Sequence, residues 1–419
     1  MFSERTNWRL AHNRFTQAVE EVRARGAKIL DLTASNPTHV GLTYDSAAIL
    51  EALGSERALD YDPQAKGLLS AREAVARYYD ERCAPGERDG RSNVSTGASS
   101  AGAVDPERIV LTASTSEGYS YVFRLLCNAG DELLVPKPSY PLFEFLADLQ
   151  DVKLVPYPLI YDHGWQMDFP SLEKVVTKRT RGVVVVHPNN PTGSYVKTGE
   201  LASLNEFCRA HGLALIVDEV FLDYGIEFPL PAKAARSGAP HFSHSSFAEN
   251  RTALTFTLSG LSKISALPQM KVAWVVTSGP TDQVEAAMGR LEVIADTYLS
   301  MNAPVQWAVP VLLAQRKSIQ AQLMDRVRAN LAELDRQLAE QQACQRLEVE
   351  GGWYAIVRVP VMRSDEELAI ELVREKSVMV HPGHFYDFQS DGYLVLSLIG
   401  VEEEFAAGIS RMLRHAHCH

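Results

Sequence analysis

The chain has 419 residues, 46% apolar and 22% charged, enough for two domains and a large core. A formal net charge of −11 runs against a nucleic-acid surface, which needs clustered Lys and Arg to neutralise phosphates. Five scattered cysteines without a CxxC pair, a polar start at Met1 and no apolar run near about 18 residues point to a cytoplasmic protein with reduced thiols, no signal peptide and no membrane span.

Trp8, Phe15, Val19 and Val22 are spaced for one face of a first helix over 8–25. Leu69, Ala71, Ala74, Val75 and Tyr78 repeat that pattern over 68–79. Residues 85–103, rich in Gly, Ser and Ala, read as a mobile surface loop with no assigned role. From residue 108 onward strand and helix patterns alternate. Strands are expected over 109–112, 132–136, 153–157, 183–187, 213–218, 254–258 and 272–277, and helices over 117–127 and 140–149. Continuous Val, Ile and Leu runs mean strands covered on both faces, hence an α/β fold with a mostly parallel sheet between helices. A helical tract over 282–338 leads to a smaller α+β unit with strands over 353–359 and 393–398. We therefore expect an N-terminal arm joined to the small unit (1–43), a large cofactor-binding domain (44–290) and a small C-terminal domain (291–419). The terminal His415-Ala416-His417-Cys418-His419 reads as a frayed helix end rather than a metal site, since nothing nearby supplies a rigid set of supporting partners.

Three apolar strands finish on chemistry. Val183-Val184-Val185-Val186-His187-Pro188-Asn189-Asn190 ends in an amide, Leu213-Ala214-Leu215-Ile216-Val217-Asp218 in a carboxylate, and Thr257-Leu258-Ser259-Gly260-Leu261-Ser262-Lys263 in an amine. Singly these are a turn asparagine, a capping aspartate and an exposed lysine. Together they occupy the carboxyl ends of strands, where ligands settle in open α/β sheets. A lysine amine can link covalently to a carbonyl. A buried aspartate can keep a pyridinium nitrogen protonated, and an asparagine amide can donate to the ring's phenolate oxygen. That is the side-chain set needed for pyridoxal 5′-phosphate.

Ala113-Ser114-Thr115-Ser116-Glu117 opens a helix directly after a strand. The amides and hydroxyls of Ser114, Thr115 and Ser116 could face a phosphate at the helix's positive end, or simply cap it. Ser262 could add a hydroxyl and Lys271 a positive charge. Tyr140 could stack on the pyridine face or pack in the core.

The chain resembles the class I/II aminotransferases, fold-type I pyridoxal phosphate enzymes, from Asp31-Leu32-Thr33-Ala34-Ser35-Asn36-Pro37 to the C-terminal strand. Asn190-Pro191-Thr192-Gly193 and Asp218-Glu219 carry the likeness, with Lys263 at the cofactor-linking position and Tyr140 at the ring-stacking one. The resemblance implies a homodimer with shared active sites, in which Tyr61 reaches the neighbour's phosphate. It also implies that Ser35, Asn36 and Val395 line the substrate side. Three positions depart from the family. Phe221 stands where a tyrosine usually donates to the cofactor's phenolate oxygen, a hydrogen bond worth about 0.5–1.5 kcal/mol. Its loss should raise the pKa of the lysine–cofactor linkage. Lys271 replaces a phosphate-binding arginine and keeps charge without the bidentate fork. Val395 replaces the arginine that clamps a substrate α-carboxylate, and removing one partner of such a buried pair costs about 2–5 kcal/mol. Arg358 and Arg14 are candidates to substitute for it. The expected reaction is transamination between a small amino donor and an oxo acceptor, with Lys263 moving the α-proton and Asp218 holding the ring's charge. The alternatives are a lyase or cyclase on the same cofactor, and a cofactor-binding sensor without turnover.

Overall fold

The structure, a computed structural model, describes residues 1–8, 10–83, 104–226, 245–299 and 301–417, and the loop expected over 85–103 lies outside them. The first nine strands are β1 (Leu30–Asp31), β2 (Ile109–Thr112), β3 (Glu132–Lys137), β4 (Lys153–Tyr161), β5 (Trp165–Met167), β6 (Thr180–Val186), β7 (Ala214–Asp218), β8 (Thr255–Gly260) and β9 (Ala273–Ser278). The C-terminal part adds β10 (Gln345–Arg346), β11 (Tyr354–Arg358), β12 (Val378–Met379), β13 (His381–Pro382) and β14 (Tyr393–Ser397).

The large sheet has the order β2-β9-β8-β7-β6-β3-β4-β5. Its centre, from β8 through β7, β6 and β3 to β4, is parallel. The runs that read as doubly covered are so: Val183, Val184, Val185, Leu215, Ile216 and Val217 are all buried. The edge strand β5 and, on the other side, β9 run against this centre, while β2 beyond β9 runs with it. The link between β8 and β9 holds only the helix Leu261–Ile264 and a 3-10 turn over Pro268–Met270. Without a crossover helix β9 returns antiparallel on β8.

A second sheet, β10-β11-β14-β13, is antiparallel. β1 pairs in parallel with β12, and the helix Arg14–Ala24 packs on the helix Asp365–Lys376, so the N-terminal segment lies against the C-terminal part. The fold is therefore α/β, a large mostly parallel sheet between helices with a smaller antiparallel-sheet unit.

Several boundaries differ from the sequence reading. The first helix begins at Arg14 rather than 8, because the Asn13 side chain accepts from Thr16 N and caps it. Trp8 instead donates its indole N–H to Asp148 (2.8 Å) and packs edge-on against Phe145. The tract over 282–338 is three helices, Thr281–Tyr298, Ala303–Ala314 and Arg316–Leu338, the second opened by an Asn302 cap and Pro304. The last helix runs to His417, and His415 is not frayed: it is buried with Nε2 3.3 Å from the Glu371 carboxylate.

The two sheets meet where backbones nearly touch. Gly193, at φ +69°, follows β6, and a Cβ there would strike the Gly351 carbonyl and the Val349 side chain. Beside it Lys197 Nζ pairs with Glu350 at 2.7 Å, the side chains 9% and 7% exposed. Glu350 also accepts from Tyr195 N (2.8 Å). Glu350→Gln removes the carboxylate charge facing a buried ammonium. It should destabilise the protein by about 3–5 kcal/mol, read as a lowered urea midpoint at unchanged slope.

Candidate active site

β7 ends on Asp218, which stands level with Val186 of β6 and Leu258 of β8. Its carboxylate accepts from the Tyr119 hydroxyl (3.1 Å) and Val220 N (3.1 Å). Burial pushes its pKa up to about 6, against these two hydrogen bonds and the Lys263 charge. The neighbouring Glu219 points to the other face, as successive strand residues do, and is satisfied by Ser246 and Phe247 N.

Lys263 follows β8 on the short helix Leu261–Ile264. Burial lowers its pKa to about 8, and the Asp218 charge resists the fall. Nζ lies 4.8 Å from the Trp353 ring centroid and 5.5 Å from that of Phe221. Its backbone carbonyl accepts from the Tyr224 hydroxyl (2.6 Å), and Tyr44 holds the next turn through Ala266 O (2.8 Å). The amine is therefore presented by a fixed backbone into an aromatic wall.

Asn190 is buried in the turn after β6, and its Oδ1 has no hydrogen-bond partner. Asn189, not Asn190, ties that turn together through Thr192. Ser114 caps the helix Thr115–Leu126 by accepting from Glu117 N, while Glu117 accepts from Ala113 N. Thr115 and Ser116, half-buried, begin the helix. Gly118 lets this first turn sit against the sheet, since a Cβ there would be 3.0 Å from Leu258 and Val275. Ser262 is half-buried, while Lys271 is exposed in the left-handed region (φ +53°).

Tyr140 is 46% exposed, yet burial of its hydroxyl, and after it the nearby Asp218 charge, raise its pKa. Phe221 is buried among Trp353 (5.2 Å) and Tyr354 (6.2 Å). Val395 is fully buried on β14, opposite Ile356 and His381. Ser35 and Asn36 are exposed, and the Asn36 side chain accepts from Thr38. Tyr61 is 81% exposed, lining a surface hollow with Arg57, Met301 and Trp307. The two arginines considered as substitutes at Val395 are engaged elsewhere: Arg14 with Glu366 at the surface, Arg358 with Gln345. Among the described residues no group of three His, Cys, Asp or Glu side chains could hold a metal ion.

Sequence reasoning missed Tyr119, which bonds Asp218, Trp353, which faces Lys263, and Tyr354, which packs on Phe221. Tyr119 carried a usable signal, lying on the first turns of the helix that opens at Thr115. The set can hold an anionic arm at Thr115 and Ser116, an aromatic ring between Tyr140 and Asp218, and a carbonyl at Lys263.

A mostly parallel sheet carrying an amide, an acid and an amine at its strand ends, joined to a smaller antiparallel sheet, defines the fold-type I aminotransferase architecture. The chain belongs to the aminotransferase class I and II family, whose model matches residues 27–399. It is 27% identical over 406 residues to the alanine aminotransferase of Mycobacterium tuberculosis, covering 94% of this chain and 87% of that protein. It is 29% identical over 300 residues to the glutamate-pyruvate aminotransferase AlaA of Escherichia coli, covering 72% and 67%. Among solved structures it resembles in fold an aminotransferase from Escherichia coli (TM-score 0.82, 23% identity, 100% and 98% coverage). An alanine aminotransferase from Pyrococcus furiosus shares the fold equally (TM-score 0.82, 20% identity, 99% of each chain). The protein is an aminotransferase, an enzyme acting on small amino and oxo substrates. No helix among the described residues is long and apolar enough to cross a membrane.

Proposed function

We propose that this aminotransferase binds pyridoxal 5′-phosphate at Lys263 and moves an amino group from an amino acid or amine to an oxo acid. The observation that carries this reading is the half-buried Lys263 amine, set against the Trp353 and Phe221 rings and acting electrostatically on the half-buried Asp218 carboxylate that Tyr119 holds. When bound, the cofactor supplies an aldehyde for nitrogen and a ring that takes up an electron pair. The unpartnered terminal atom of the buried Asn190 amide, a donor once the amide's O and N are exchanged, and the Lys263 charge acting on Asp218 fit such a ring.

The chain's own residues do the rest. Asp218, fixed by Tyr119 and Val220 N, would hold a positive charge on the ring nitrogen. Lys263, lowered towards neutrality by burial, would take the proton from the substrate's reacting carbon and give it back. Thr115 and Ser116 at the helix start, with the Ser114 backbone and Ser262, would receive the phosphate, and Tyr140 would hold the ring. Lys271, being exposed, adds charge at the rim. Exposed Tyr61 and its apolar hollow support a homodimer in which this tyrosine completes the neighbour's site. Free thiols at Cys127, Cys208 and Cys344 support action in the cytoplasm.

The test is a half-reaction. An amino donor alone should bleach the cofactor's visible absorbance, and an oxo acid alone should restore it. Ammonia released with no oxo acid present would replace transamination with elimination.

Phe221 bears on the pH at which this happens. Phe221→Tyr restores a hydroxyl near Lys263 and should lower the pKa of the lysine–cofactor linkage by about one unit, since a net hydrogen bond is worth about 1 kcal/mol. A spectrophotometric pH titration of the two holoenzymes reads the difference.

A further inference from the structure

The following inference rests on the transamination reading and names the substrate class of that site. One face of the small sheet borders the Lys263–Asp218 pair. Across β11 and β14, Tyr354 stands opposite Ser397 and Ile356 opposite Val395, and β13 sets His381 opposite Val395. Directly opposed residues share a face, as do residues two apart along a strand. Tyr354, Ile356, Val395 and His381 therefore form one patch. Tyr354 meets Phe221, whose ring faces Lys263 Nζ. Tyr386 and Tyr354 each lie near enough to Tyr140 to act on it electrostatically, and Tyr140 stands likewise to Asp218.

Among the described residues, those that make up this patch include no arginine and no lysine. The charged or ionisable groups acting on Asp218, Lys263, Tyr140, Tyr354 and Tyr386 include, among the described residues, no arginine and no lysine but Lys263. His381 is the one basic side chain on the patch, and burial disfavours its charged form while Asp31 favours it. Its Nδ1 lies 3.1 Å from the Tyr386 hydroxyl. With Tyr386 donating there, the neutral ring carries its proton on Nε2, so that edge donates while the phenol oxygen still accepts.

We propose that Val395, His381 and Tyr386 form the subsite for the group beside the reacting carbon, and that it selects an uncharged hydrogen-bonding group, such as a carboxamide or a primary alcohol, over a free carboxylate. A carboxylate placed against His381 and Tyr386, above the buried Val395 and Ile356, would be desolvated with no cation among the described residues to compensate it. A carboxamide can accept from His381 and donate to the Tyr386 oxygen. An acid group further along the acceptor does not enter this subsite, so an oxo acid with a distal carboxylate remains a substrate.

The test uses holoenzyme and two probes that lack the proton turnover removes, 2-aminoisobutyric acid and its amide, with binding read from the change in cofactor absorbance. The amide should bind about tenfold tighter than the acid or better, the acid forfeiting its charge-assisted pairing. Val395→Arg supplies that cation and should reverse the ratio by about tenfold or more, and His381→Leu should weaken the amide alone. The wild-type ratio decides even if the arginine variant fails to fold. An acid bound as tightly as the amide or tighter, or no response to either probe, overturns the subsite. If the amide binds tighter but no amine with a removable proton bleaches the cofactor, transamination fails and the subsite stands.

Discussion

Lys263→Ala should cost about 10⁴-fold or more in turnover, because one substitution removes both the covalent anchor and the proton carrier. Borohydride treatment followed by peptide mapping should place a pyridoxyl tag on the peptide containing residue 263 in the wild type and none in the variant. A tag elsewhere would move the site. The amine also leaves a signature on the apo protein. Its folded pKa, about 8, lies below the unfolded 10.5, so the unfolded chain binds more protons between those values. Stability contributed by this group is full above 10.5 and lost as pH falls through about 8. Apo wild type should therefore gain stability on titration from pH 8 upward, and the alanine variant should lack that gain.

Asp218→Asn should lower turnover by about 10²–10³-fold, the scale of losing one preorganised electrostatic group, while leaving the cofactor attached at Lys263. An amide in the same shape still accepts from Tyr119 but cannot balance a charged ring nitrogen. A cofactor analogue methylated at that nitrogen, permanently charged, should recover part of the loss, which a merely structural aspartate would not allow. Here the linkage has the opposite sign. The folded pKa, about 6, lies above the unfolded 3.8, so stability from this group is full below 3.8 and lost as pH rises through about 6. The asparagine variant should flatten that acid-side slope.

The three strand ends were legible because their strands are short runs rich in Val, Ile, Leu, Phe and Thr, whose burial on both faces leaves one place for Asn190, Asp218 and Lys263 to emerge. The helix start at Thr115 was legible for the same reason, as a cap following a strand. What closes the site was not. Trp353 follows two glycines and reads as an ordinary strand residue. It reaches Lys263 because Gly352 N bonds Tyr224 O and Ile226 N bonds Glu350 O, a tie between distant segments that no local pattern encodes. His381 comes in through strand register and Tyr386 on the 3-10 turn Gly383–Tyr386 that follows, neither of which periodicity can supply. The proposed rescue of Val395 by Arg14 or Arg358 failed because both side chains find partners at the protein's surface. The early start given to the first helix ignored Asn13, whose side chain competes for the backbone.

Lys263 and Asp218 also bear on the order of assembly. Each partly offsets the other's cost of burial, so the cleft carries no large uncompensated field before anything enters it. A newly made chain can then complete its architecture in a vitamin-starved cell and wait, ready to be charged later. Material purified from such cells should be native in shape and colourless, turning yellow on addition of the vitamin B6 aldehyde.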